Sequence, residues 1–162
     1  MIKNLITPAD AKVLSGAILA ELSASSMYKH LANQCQRLGL FGAAKFFLHE
    51  SEDELSHYQR LADFANERGS VAAIPSIPSP SATVKSLNDA LQAAYDIEVD
   101  LGAKYEKWYG QVAPTTQQFL LQYLEIQRKS IGEYADLLSR VSLCNGDECA
   151  VLLIDQEMGS NV

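Results

Sequence analysis

Cysteine is scarce: the 162 residues hold three, Cys35, Cys144 and Cys149. An odd number at such spacings makes no disulfide framework, and without a Cys-x-x-Cys pair a thiolate zinc site is not expected; free thiols in a reducing compartment are. Long apolar runs are missing. The longest, Ala150 to Ile154, is far too short to span a bilayer. The N-terminal stretch has no apolar run behind a basic start, so no signal peptide is expected and a cytoplasmic location is. Positive charge is in deficit, with 13 Lys and Arg against 20 Asp and Glu and a net charge of −7. A nucleic acid partner needs clustered cations, so the acidic balance argues against one, and none is expected. Period-two alternation is absent too, which argues against strands, and no internal repeat is found.

What is present is helical signal. Thr7-Pro8-Ala9-Asp10 reads as an N-cap followed by proline at the first helical position. From there Val13, Leu14, Ala17, Ile18, Ala20, Leu22 and Leu31 keep helical spacing to about Arg37, and Gly39 marks the stop. A second helix is expected from about Phe41 to Arg68, ended by Gly69. Residues 70–84 hold three prolines and four serines, which makes them an extended linker. Its length suits a crossover along a bundle better than a tight turn. A third helix is expected from Thr83 or Val84 to about Gln111, a fourth from Pro114 to about Leu143, and a short fifth from Asp147 to Met158. The expected architecture is all-α: one domain over residues 1–162, a four-helix bundle with one long crossover and a short tail helix.

Charge sits where a bundle should be apolar. Glu54 and His57, three residues apart, lie one turn from each other on one helix face and can hold a metal ion together. Alone, Glu-x-x-His is common on solvated helices. Glu21, however, sits in a stretch otherwise poor in charge, with Tyr28 two turns further along the same face. Glu98 and Gln127 lie near the middle of the third and fourth helices. Each alone fits a solvated amphipathic helix. Five such groups at compatible heights argue for a metal, since a buried carboxylate is costly unless paired or metal-bound. Three carboxylates, one imidazole and one amide suit iron or manganese, and bridging carboxylates suit two ions. Trp108, Tyr105 and Tyr109 are read as core or subunit-contact packing. His49 and Asp53 are read as a solvated or lumenal pair.

Glu21 with Tyr28, then ESEDELSHYQRL, AYDIEVD and QRKSI, in this order and spacing, resemble the ferritins over nearly the whole chain. The resemblance implies a homo-oligomeric shell of 24 subunits that stores ferric mineral, with Fe(II) and O2 (or H2O2) as reactants. It implies that Glu21, Glu54 and His57 hold a first iron, that Glu54 bridges, and that Glu98 holds the second with Gln127 close by. Tyr28 would lie beside this di-iron ferroxidase centre, and Glu50 and Asp53 would pass iron onward. Gln127 followed by Ser130 is similar to the animal heavy-chain pattern. The bacterioferritin pattern differs: it needs a second Glu-x-x-His on the fourth helix and a haem-ligating Met where Leu55 stands, so no haem is expected. Ile126 and Lys129 stand where some bacterial ferritins place acids for a third iron, and Gln117 and Leu120 stand where animal ferritins line a pore with acids. A ferritin-like di-iron oxidase or peroxidase without bulk storage, and a non-catalytic shell subunit, remain the alternatives.

Overall fold

The structure is a computed structural model and is described for residues 2–162. It holds five helices: α1 (Pro8–Leu38), α2 (Phe41–Glu67), α3 (Leu87–Tyr109), α4 (Pro114–Leu143) and α5 (Glu148–Ser160). α1 starts where local chemistry dictates. The Thr7 hydroxyl accepts from the Asp10 N–H at 3.1 Å, and the Asp10 carboxylate accepts in return from the Thr7 N–H at 3.1 Å. It ends at Gly39, whose φ of 82° is open to glycine at little cost. At 31 residues, α1 is about 46 Å long.

The helix starts and stops fall close to those expected, with one difference of three to four residues. α3 begins at Leu87, not at Thr83 or Val84. Ser86 is extended and caps the helix by accepting from the Asp89 N–H at 3.1 Å, while the Val84 N–H is already engaged by the Gln34 side chain at 2.8 Å. The crossover therefore stays extended until Ser86 releases it into the helix.

Two sets of bonds fix the direction of the crossover. The Leu5 N–H donates to the Arg68 carbonyl at 2.8 Å, which places the end of α2 beside the start of α1. At the other end of α1, Gln34 Nε2 donates to the Ala82 carbonyl at 2.6 Å, and His30 Nε2 lies 2.7 Å from the same oxygen. The crossover thus runs the length of α1, and α3 lies antiparallel to α1. The Ala113 N–H closes this arrangement by donating to Asp10 at 2.9 Å, so the start of α4 also meets the start of α1.

α5 docks through an acid. α2 has no side-chain cap of its own at Leu40. Asp155 of α5 supplies one, accepting from the Gly42 N–H at 3.1 Å and the Ala43 N–H at 2.7 Å. Gly42 and Gly159 make this approach possible, because a Cβ on Gly159 would stand 2.7 Å from the Gly42 Cα. No helix is long and apolar enough to cross a membrane among the described residues.

The apolar core is divided. One cluster, with Tyr28, Leu31, Phe47, Leu91 and Tyr134, fills the end near α5. The other, with Ile18, Leu61, Leu101, Tyr105 and Tyr123, fills the opposite end. Between them lie Glu21, Ser25, Ser51, Glu54, Glu98 and Gln127, all buried.

Candidate metal centre

Four helices each contribute to this polar layer. Glu21 has Ala17 and Ile18 one turn before it on α1 and Ala24 and Ser25 one turn after, all buried, so the helix phase that builds the core also turns Glu21 inward. The same phase carries Glu54 on α2, Glu98 on α3 and Gln127 on α4. Exposure is 0% for Glu21, 4% for Glu54 and 1% for Glu98. His57 is the most open of the group, with 12% of its side chain exposed.

Ligand atoms of Glu21, Glu54 and His57 lie within 4.8 Å of one another. His57 Nδ1 is 3.1 Å from Glu54 Oε2 and 3.6 Å from Glu21 Oε2. Tyr28 donates to Glu98 Oε1. The Gln127 amide, with its nitrogen toward Glu98, donates to Oε2 at 2.8 Å and to the Glu98 carbonyl at 3.1 Å. Glu21 Oε1 takes the hydroxyl of Tyr105, while Glu21 Oε2 has no hydrogen-bond partner among the described residues, with His57 Nδ1 3.6 Å away. Beneath His57, Tyr123 donates to the His57 carbonyl at 2.8 Å and ties α2 to α4.

No Lys or Arg ion-pairs with these three acids among the described residues. The consequence is electrostatic. Burial pushes the Glu54 carboxyl well above its usual range, and the neighbouring Glu21 carboxylate pushes it the same way. Burial holds Glu98 at about 7 in spite of the Tyr28 hydrogen bond, with the charge of Glu21 adding to the rise. Without a cation Glu54 and Glu98 keep protons they would lose in water. A divalent ion held here would replace those protons, find a free oxygen on Glu21 and offset the buried charge. The donor set, three carboxylates with one imidazole and one amide, fits iron or manganese.

A protein-family model for the ferritin-like domain matches residues 11–144, most of the chain and all five groups of the centre. The chain belongs to the ferritin family. It is 30% identical over 159 residues to a ferritin of Pacifastacus leniusculus, covering 92% of this chain and 87% of that one. It is 26% identical over 153 residues to a probable bacterial non-heme ferritin-like protein of Haemophilus influenzae (92% and 93% covered). To the bacterial non-heme ferritin of Escherichia coli it is 25% identical over 161 residues (96% and 97%). The fold superposes on the open-pore ferritin of the archaeon Archaeoglobus fulgidus with a TM-score of 0.89 over 95% of this chain and 96% of that one, at 22% identity.

Around the candidate centre the accessory residues separate. Glu50 accepts from the Tyr134 hydroxyl at 2.8 Å, and burial raises its carboxyl to about 7 against that bond, helped by the charges of Glu133, Glu98 and Asp53. His49, Glu50 and Asp53 bring ligand atoms within 4.8 Å of one another, with His49 and Asp53 about half exposed. Ser130 is half-buried and makes no hydrogen bond to the cluster among the described residues. Leu120 is fully buried, whereas Gln117 is half-buried and donates to the Tyr109 carbonyl at 3.0 Å.

Three tyrosines escaped the sequence reading. Tyr105 packs in the core as expected, and its hydroxyl also binds Glu21. Tyr134 holds Glu50, and Tyr123 holds the backbone of His57. For Tyr105 the signal was there: it follows Glu98 by the same interval at which Tyr28 follows Glu21.

Proposed function

We propose that this ferritin stores iron and is a ferroxidase: it oxidises Fe(II) with O2 at a pair of sites inside each subunit and deposits ferric mineral in the hollow of a 24-subunit shell. The observation that carries this reading is the buried cluster of Glu21, Glu54, His57 and Glu98, whose acids pair with no Lys or Arg and in which Glu21 Oε2 has no hydrogen-bond partner among the described residues. Its relatives' names, bacterial non-heme ferritin among them, point the same way.

In this reading iron is the substrate. Glu21, Glu54 and His57 take the first ion. Glu54 bridges to the second, which Glu98 takes with Gln127 beside it. Two ions of such a pair stand about 3–4 Å apart. Each ferrous ion gives one electron, and O2 takes two electrons and two protons to leave as hydrogen peroxide, so no one-electron oxygen product need escape. Carboxylate charge stabilises Fe(III) over Fe(II), an effect enlarged where water is excluded. His57, the exposed edge of the cluster, is the side on which ions enter and leave. Tyr28 keeps Glu98 oriented through its hydroxyl. The acids of His49–Glu50–Asp53 lie on the same helix and receive iron passing to and from the hollow.

Glu54→Ala and His57→Ala are expected to leave the shell assembled and to slow rapid iron oxidation by two orders of magnitude or more. Stopped-flow absorbance after mixing ferrous iron with oxygenated protein reads this directly. Unchanged kinetics in both variants contradict the site. Size exclusion after iron addition separates storage, with many ions per chain in a large shell, from a di-iron enzyme that holds only a pair.

A further inference from the structure

Glu-x6-Tyr occurs twice in the chain, as Glu21–Tyr28 on α1 and as Glu98–Tyr105 on α3. Because α1 and α3 run antiparallel, one register satisfies both pairs. Tyr28 reaches Glu98 and Tyr105 reaches Glu21. All four side chains are buried, with both tyrosines fully so.

The two halves are not equal. Glu98 has both oxygens engaged, Oε1 by Tyr28 and Oε2 by the Gln127 amide. Glu21 has only Oε1 engaged; Oε2 has no hydrogen-bond partner among the described residues and lies 3.6 Å from His57 Nδ1. A second side of Tyr105 explains why its hydroxyl cannot drift away. Its ring is stacked on Tyr123 at 4.9 Å between centroids and meets Trp108 edge-on at 5.3 Å. The phenol is thereby aimed at Glu21 by packing on two faces.

We infer that Tyr105 is a positioning residue for the first metal ion: by occupying Glu21 Oε1 it makes Glu21 a one-oxygen ligand through Oε2. A free buried carboxylate can close on a metal with both oxygens. Tyr105 withholds one of them, keeping the coordination number low and a place open on the ion. The inference rests on the proposed function, because it assigns a role within that metal site.

Cobalt(II) titration of the assembled, metal-free shell tests it, since the visible absorption of cobalt strengthens as coordination number falls. Wild type is expected to bind its first cobalt with intense bands. Tyr105→Phe keeps the ring and its stacking but frees Glu21 Oε1; its first cobalt is expected to lose at least half of that intensity. Tyr28→Phe is expected to leave the first cobalt spectrum unchanged and to alter the second. A role in packing alone moves neither spectrum. Superimposable first-cobalt spectra for wild type and Tyr105→Phe overturn the inference, as does an equal change in Tyr28→Phe. If Tyr105→Phe does not assemble, a cobalt-loaded wild-type crystal decides: Glu21 binding through one oxygen with Tyr105 still on the other supports the inference, and Glu21 closing on the ion with both oxygens overturns it. Wild type that takes up no cobalt at the centre defeats the proposed function along with it; uptake without the spectral change defeats only the role of Tyr105.

Discussion

Glu98→Gln separates what the centre costs from what it does. The folded chain holds the Glu98 proton up to about pH 7, whereas the ordinary value is 4.5. The folded state therefore binds this proton more tightly than the unfolded state. Its contribution to stability is fully present below 4.5 and is lost as pH rises through about 7. At roughly 1.4 kcal/mol per pH unit, the gap between the two values amounts to about 3 kcal/mol, most of it lost between pH 5 and pH 8. Glutamine keeps the shape of Glu98 and an oxygen for Tyr28, and Gln127 can turn its own amide oxygen toward the new NH2. The metal-free variant should therefore exceed wild type by about 2–3 kcal/mol at pH 8 and match it within about 1 kcal/mol at pH 5. Denaturant unfolding followed by circular dichroism, on protein freed of metal with a chelator, measures both. Cobalt at pH 8 should reverse the order, because wild type alone gains the full ligation energy. A variant that is less stable than wild type by the same amount at both pH values refutes the reasoning: Glu98 would then be compensated in the metal-free chain without holding a proton.

Gly42→Ala should release α5, because a Cβ there falls within the carbonyl of Asp155. The loss of buried Ile154 and Met158 and of the Asp155 cap amounts to about 5 kcal/mol of docking energy. Cys35, buried and close enough to Asp155 to feel its charge, should then react with a thiol reagent that in wild type reaches only Cys144 and Cys149; an inert Cys35 in the variant contradicts the docking account. Asp10→Ala should cost about 2 kcal/mol in chemical denaturation at pH 7, since it removes the capping box and strands the Ala113 N–H. Burial pushes the Asp10 carboxyl up, but hydrogen bonds from the Ala113 N–H, Thr7 and Thr116 outweigh it and hold the group below its ordinary 3.8. The wild-type advantage should therefore persist above pH 4 and shrink as pH falls through that lowered value; an advantage that grows in acid contradicts it.

The sequence carried the helices because their boundaries are local. Thr7, Pro8, Gly39, Gly69 and Pro114 each act within one turn of where they stand. The metal-type residues were legible for a related reason: an acid in phase with Ala17, Ile18 and Ala24 is visible along a single helix. What depends on register between helices was not. The Asp155 cap on α2 joins residues 112 and 113 positions apart, and only the missing cap at Leu40 hints at it. Tyr105 looked like packing because its polar partner, Glu21, lies 84 positions away on α1. The late start of α3 follows from Gln34 holding the Val84 N–H, again a contact across the bundle.

Anomalous scattering from crystals soaked in ferrous iron tests the central claim most directly. Two iron positions are predicted per chain, one between Glu21, Glu54 and His57 and one between Glu54 and Glu98 beside Gln127. Crystals with no iron in this layer, or with iron only at the half-exposed His49 and Asp53, would contradict the account.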